Sequence, residues 1–311
     1  MVCEHPTSTA RIGEDLLGVP LILVLQQKVN PMTCKSCFFA LVLLSLTGMA
    51  ASGAEKPINV GMLPDSGGAQ DALKQKEPLK AYLTKALGRE VDIVILPDYA
   101  STVAALGDGR VDFAYLGGLT YLKAHKQYGV VPLVQRSSDT QFHALFITRA
   151  DSSIRSLNDL RGRKFAFGDV NSTSGHVIPY LELRQAGIDP DKDLTVRYTG
   201  NHPATIRAVE TRLVDAGAVD ESIFQSLLSE GKIEPGAFRI FHVSKPFVDT
   251  VWVARKEVSS EDQEKFAKVF IALKQGLNDQ VLQILRGKDF VRANNEEYNI
   301  LRLVAQQLKM L

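Results

Sequence analysis

The chain has 311 residues, 45% of them hydrophobic and 23% charged, and a net charge of +1. This is a soluble globular composition with enough length for two lobes. The even charge balance excludes the basic footprint that a nucleic-acid partner demands, so no nucleic acid is expected.

Near the N-terminus, Met32-Thr33-Cys34-Lys35-Ser36 carries one positive charge, residues 37–46 are apolar, and Ser52-Gly53-Ala54 has the small-x-small pattern of a cleavage site. These features in this order predict a secretory signal peptide cut after Ala54, and hence a periplasmic protein. The apolar run is short for a membrane span. No cysteine ends it, as one would in a lipoprotein. A signal peptide begins its protein, so Met32 is read as the true start and residues 1–31 as an upstream extension. A second apolar patch at 16–25 leaves that start open. Cys3, Cys34 and Cys37 all precede residue 55. The exported chain would have no disulfide and no thiolate to act as nucleophile or metal ligand.

From Pro57 the pattern alternates. Residues 58–63 read as a strand ending at the turn Pro64-Asp65-Ser66-Gly67-Gly68. Residues 78–87 read as a helix, with Pro78 in its first turn and Gly88 as its stop. Strands are predicted at 91–96, 113–116, 130–134, 144–148, 164–167 and 194–198. Helices are predicted at 102–106, 172–186, 259–273 (capped by Ser259-Ser260) and 296–308. Alternating elements of this kind predict a parallel-rich α/β fold.

At 164–175 a short apolar strand turns at Gly168-Asp169 and meets Asn171-Ser172-Thr173-Ser174-Gly175. The first N–H groups of a helix have no partner inside it, and the helix dipole adds positive potential there. Three hydroxyls beside them suit a tetrahedral oxyanion. One cap needs only one such residue. Pro179 removes an N–H and should bend this helix after its first turn. Gly187 is its expected stop. His176 is read as wall or packing, and Arg207 and Arg212 as surface charges.

The chain also repeats itself. Thr102-Val-Ala-Ala-Leu precedes Val111-Asp112 at the same offset as Thr205-Ile-Arg-Ala-Val precedes Val214-Asp215. Both units read as helix, turn and strand. Tyr99 and His202 hold the same place ahead of Thr102 and Thr205, each beyond the C-terminal end of a strand. Ligands of open α/β sheets bind at that edge. Two lobes face to face would bring Tyr99, His202 and the Ser172 turn to one cleft.

With Pro97-Asp98-Tyr99-Ala100, Val111-Asp112-Phe113-Ala114-Tyr115, Asn171-Ser172-Thr173-Ser174-Gly175, Gly200-Asn201-His202 and Val214-Asp215, the chain resembles the phosphonate/phosphite ABC-transporter substrate-binding proteins (the PhnD-like family) over nearly all of 57–311. The resemblance implies the type II periplasmic-binding-protein fold, two Rossmann-like lobes with a ligand cleft between them. Lobe 1 is expected at 55–145 and 250–311, lobe 2 at 146–249, with hinge strands near 144–149 and 241–254. It implies capture of a small phosphorus oxyanion for an ABC importer, with the permease as partner, a monomer, and no catalytic residue, cofactor or metal. Ser172, Thr173 and Ser174 look like donors to the PO3 oxygens, and His202 and Tyr99 like further donors. Tyr115 is expected on the opposite wall. Aminophosphonate binders add carboxylates, for which Asp249 and Asp220 or Glu221 are the candidates. Ala218 and Val219 are expected to make an apolar wall that favours phosphite or a small phosphonate. The anion is expected to meet neutral donors only. Two rivals remain: a ligand-presenting sensor for a membrane histidine kinase, and a hydrolase using Ser172 or Ser174 with His202 and Asp249.

Overall fold

The computed structural model describes residues 55–63 and 69–311. The predicted signal peptide, its cleavage site at Ala54, residues 1–31 and the turn at 64–68 lie outside the described residues.

Eleven strands are found among the described residues: β1 (Ile58–Met62), β2 (Val91–Ile95), β3 (Phe113–Leu116), β4 (Val131–Arg136), β5 (Ala144–Arg149), β6 (Lys164–Phe167), β7 (Thr195–Tyr198), β8 (Ala216–Asp220), β9 (Phe238–Val243), β10 (Val251–Ala254) and β11 (Phe290–Arg292). They form two sheets, ordered β11-β4-β10-β3-β1-β2 and β7-β6-β8-β5-β9. Each is built on a parallel trio, β2-β1-β3 in the first and β7-β6-β8 in the second. Each is completed by antiparallel strands. Side chains alternate between two cores on each sheet. In β3, Phe113 enters one cluster with Trp252 and Phe266, while Ala114 and Leu116 enter the other. In β5, Leu145 and Ile147 face one cluster and Phe146 the other. That is the period of two that a strand buried on both faces must have.

The chain leaves the first sheet after β4, builds the whole second sheet, and returns as β10 between β3 and β4. Two segments, 137–143 and 244–250, therefore link the sheets. They pair with each other through Phe142 N–H to the Phe247 carbonyl (2.9 Å) and Phe247 N–H to the Phe142 carbonyl (3.0 Å). The expected hinge at 144–149 is corrected. That stretch is β5, hydrogen-bonded on both sides inside the second sheet, and a doubly paired strand cannot flex alone. The stretch 241–254 does contain the second linking segment.

Two helices differ from expectation for a reason involving proline. The helix expected from Pro78 begins at Ala69 and runs to Leu87, with Pro78 inside it. The N–H that proline lacks would have reached the carbonyl of Lys74, which sits on an exposed residue where water can serve instead. The Ser172 helix opens with a wide π-type turn, Thr173–Val177, before the α-helix Ile178–Gln185. Pro179 has no N–H for the carbonyl of Gly175. That carbonyl instead accepts from Gly168 N–H at 2.8 Å, which ties the turn back to the end of β6. Gly187, at φ +75°, ends the helix as expected.

Candidate functional site

The repeat has a physical basis. The helices Tyr99–Gly107 and His202–Glu210 are capped by Asp98, which accepts from Ser101 N–H (2.7 Å), and Asn201, which accepts from Ala204 N–H (2.8 Å). Thr102 and Thr205 donate their hydroxyls back to the carbonyls of those caps. Asp112 and Asp215 then accept from Asn59 N–H (2.9 Å) and Lys164 N–H (2.8 Å), binding each unit to the strand beside it. Tyr99 and His202 thus become the first residues of equivalent helices, both at the C-terminal edge of a parallel trio.

Among the helices that begin at these edges are Tyr99–Gly107 after β2, Gly118–Tyr128 after β3, the Thr173 turn after β6, His202–Glu210 after β7, and Glu221–Ser229 after β8. Their N-termini converge on one cavity of about 90 Å3. Tyr99, Tyr115, Ser172, Thr173, Ser174, His202 and Asp249, the seven residues expected at the ligand, all line it. Asp220, Asn201, Thr250, Ile223, Met62 and Arg286 line it as well.

The hydroxyls of the turn are not equivalent. Ser172 Oγ accepts from Gly175 N–H at 3.0 Å and lies beside the Tyr99 phenol. Thr173 Oγ1 accepts from Leu119 N–H at 2.9 Å and faces Asp249, so its hydroxyl is already used. Ser174 is buried, and its hydroxyl has no hydrogen-bond partner among the described residues. Gly175 is required here: a Cβ would stand 2.9 Å from both Ser172 Oγ and His202 Cε1.

His202 Nδ1 accepts from Asp220 N–H at 3.1 Å, which places the proton of the neutral ring on Nε2. Burial lowers the imidazole pKa, so the ring stays neutral and donating. Burial acts on Tyr99 in the opposite sense and raises its pKa, keeping the phenol protonated. Tyr115 donates its hydroxyl to Thr250 Oγ1 (2.7 Å) and rests on Trp252, with ring centroids 5.0 Å apart, so it offers the cavity its ring face. Thr250 Oγ1 accepts from both Tyr115 and Arg136 (3.2 Å), leaving its own hydrogen to donate.

Three carboxylates line the cavity, each committed to a helix N-terminus, Asp98 through the Ser101 N–H already described. Asp249 Oδ1 accepts from Gly118 N–H at 3.0 Å; burial first, then the negative charge of Asp220, push its pKa up to about 7. Asp220 Oδ1 accepts from Ile223 N–H (2.8 Å) and the Ser222 hydroxyl (2.7 Å). Burial opposes the charge of Asp220, but the guanidinium charges of Arg136 and Arg286 and the Ser222 hydroxyl outweigh it and hold the carboxyl below its usual range.

Two expectations are corrected. Ala218 and Val219 do not wall the cavity; they are fully buried on opposite faces of the second sheet, as the alternation of β8 requires. The lining is not wholly neutral, because Arg286 belongs to it. Arg286 caps the helix Asp279–Leu285 at φ +51°, and its carbonyl accepts from the buried Arg136 at 3.1 Å. No helix is expected from the sequence at Asp279–Leu285, so its C-cap residue gives no signal there. Thr250 was missed because its place depends on the fold-back of the second linking segment. His176 packs as expected. Its Nδ1–H holds the Val170 carbonyl (2.9 Å) and its Nε2 accepts from Tyr198 (2.9 Å), with Phe167, Tyr180 and Tyr198 rings around it.

Comparison with known proteins identifies the family and the fold. The family described as ABC transporter, phosphonate, periplasmic substrate-binding protein matches residues 60–298. The chain is similar to the probable ABC transporter phosphite binding protein PhnD1 of Prochlorococcus marinus, 27% identical over 272 residues, with 82% of this chain and 91% of that one covered. It is also similar to the phosphate-import protein PhnD of Mycolicibacterium smegmatis, 26% identical over 252 residues, covering 73% and 78%. The structure of P. marinus PhnD1 with methylphosphonate aligns with a TM-score of 0.76 at 26% identity, over 82% of this chain and 99% of that chain. The two sheets are thus the two lobes of a type II periplasmic-binding-protein fold, and the chain belongs to the periplasmic phosphonate-binding family of ABC transporters.

Proposed function

We propose that the chain captures phosphite or a small phosphonate in the cavity between its sheets and delivers it to an ABC permease. On this reading it is a monomer exported by the signal peptide ending at Ala54, and the lobes close about 137–143 and 244–250. The observation that carries the reading is the donor set. Ser174 and Thr250 hydroxyls, the Tyr99 phenol, the His202 Nε2–H and the first N–H groups of the Thr173 turn all border one small cavity. Hydrogen bonds to an ionised acceptor contribute roughly 1.5–3 kcal/mol each. Five or six of them, less the costs of ordering and closure, correspond to a Kd of about 10 μM to 10 nM. Arg286 adds attraction for the anion. All three carboxylates already hold helix N-termini, and the cavity is small. This favours a short substituent over an aminoalkyl chain.

The same tautomer supports capture over hydrolysis. A triad needs the histidine Nδ1–H to donate to a carboxylate and Nε2 to take a serine proton. In His202 the roles are reversed, because Nδ1 accepts from Asp220 N–H. Calorimetric titration of the protein with phosphite, methylphosphonate, aminoethylphosphonate and phosphate tests the proposal. Tightest binding of phosphite or methylphosphonate is expected. Tighter binding of phosphate, or no heat with any of the four, would overturn it.

A further inference from the structure

The loop that carries the Ser172 turn has a second face, pointing away from the cavity. Asn171 lies there, half-buried, on the second sheet's side. Its carbonyl accepts from the Thr120 hydroxyl at 3.1 Å, and its Oδ1 accepts from Lys123 Nζ at 2.7 Å. Thr120 and Lys123 stand on the helix Gly118–Tyr128, which follows β3 of the first sheet. These bonds therefore join the two lobes. None of the three residues lines the ligand cavity.

The partners are held rigidly on both sides. Asn171 N–H donates to Asp169 Oδ1 at 2.7 Å, and Ser172 N–H to the Asp169 carbonyl at 2.9 Å. His176, itself fixed by Tyr198, holds the Val170 carbonyl in between. On the other lobe, the Gly118–Tyr128 helix is anchored by Asp249 on Gly118 N–H. Gly118 leaves no room for drift: a Cβ there would meet Leu301 Cδ2 at 2.5 Å, the Asp249 carbonyl at 3.3 Å and Thr173 Oγ1 at 3.4 Å. Two rigid surfaces that meet through a charged hydrogen bond add free energy to the joined state alone.

We infer that Asn171, with Thr120 and Lys123, forms a latch that stabilises lobe closure and so scales the affinity for every ligand by one common factor without touching any of them. The inference rests on the capture reading above. A ligand that contacts both lobes is bound only as far as the joined state is populated, so a change in that population multiplies each Kd equally. These are positioning residues. A residue that faces the substituent on phosphorus would instead alter the ratio between ligands.

The test uses Lys123→Met, which keeps the aliphatic stem, Asn171→Ala, and the double variant. Each is titrated with phosphite and with methylphosphonate, and dissociation is followed by the fluorescence of the single tryptophan, Trp252. Each single variant should raise both Kd values by the same factor, about 5- to 20-fold, through faster dissociation. The double variant should cost no more than the larger single effect, since both remove one bond. Unchanged Kd values in the variants, additive losses, or a shift in the phosphite-to-methylphosphonate ratio would overturn the latch while leaving capture intact. No binding by the unaltered protein would overturn the capture reading, and the latch with it.

Discussion

The helices Tyr99–Gly107 and His202–Glu210 are built alike, yet they present opposite acid–base chemistry to the same cavity. Each has an Asp or Asn cap, a back-bonding threonine, and an aspartate that ties the following strand to its neighbour. On the first unit the leading residue is a phenol, whose pKa burial raises. On the second it is an imidazole, whose pKa burial lowers. The two shifts run in opposite directions and have one result, because desolvation disfavours whichever form is charged. Both groups stay neutral and keep a hydrogen to donate. An oxyanion site can therefore use either residue type on one scaffold, provided the scaffold buries it.

The comparison breaks most visibly at His202. Its ring satisfies Asp220 N–H on one side and faces the cavity on the other. His202→Ala would remove both interactions and leave a buried donor unpaired. Affinity should fall by about 2–3 kcal/mol, roughly 30- to 150-fold, measured by calorimetry. Gly175→Ala attacks the same ring from behind, since the new methyl would need the space of His202 Cε1 and Ser172 Oγ. Overpacking of this kind costs about 1–3 kcal/mol in stability, seen as a lowered Tm. Affinity should fall with it. Tyr99→Phe is milder, because it removes one hydroxyl beside Ser172 Oγ and leaves no buried backbone donor unpaired. About 1 kcal/mol is expected, near 5-fold in Kd.

These contrasts show what was legible in the sequence. The Ser172 turn, Tyr99 and His202 could be read because their roles follow from local rules: capping, helix dipoles and strand edges. Most strands of the parallel trios could be read because buried strands are runs of apolar and β-branched residues. Thr250 and Arg286 could not. Their positions depend on a return strand and a helix C-cap that come together only once the first sheet closes around β10. The assignment of Ala218 and Val219 to the cavity failed for a related reason. Sequence placed β8 at the right edge, but the residue of it that reaches the cavity is its last one, Asp220. Pro78 misled because a proline that starts a helix and one tolerated within it look the same until the exposure of its would-be acceptor is known.

Asp249 sharpens the comparison through pH. An acid whose pKa rises on folding binds more protons folded than unfolded, so its contribution to stability falls as pH climbs from 3.8 through about 7. Asp249→Asn should flatten that part of the Tm–pH curve. A bound anion beside Asp249 favours the protonated form further. Affinity should therefore weaken as pH passes about 7, beyond any change from the ligand's own titration. The difference between wild-type and Asp249→Asn curves, taken with the same ligand, isolates the protein's share. Parallel curves would show that Asp249 does not sense the ligand.

The smallest effect separates the two units where they are most alike. Asp112 and Asp215 make the same bond to a neighbouring strand N–H. Asp112 alone also meets a guanidinium, Arg255, at 3.0 Å with both groups mostly shielded. Asp215→Asn can keep its bond through the amide oxygen and should cost a few tenths of a kcal/mol. Asp112→Asn leaves Arg255 with Glu257 and the Asp112 carbonyl's neighbourhood, and should cost about 0.5–1 kcal/mol, the range of a partly exposed ion pair. Added salt should narrow the gap in denaturant midpoints, because screening weakens the pair and leaves the shared strand bond untouched. Equal costs at all salt concentrations would mean that Arg255 adds nothing, and that the two repeats are equivalent outside the cavity.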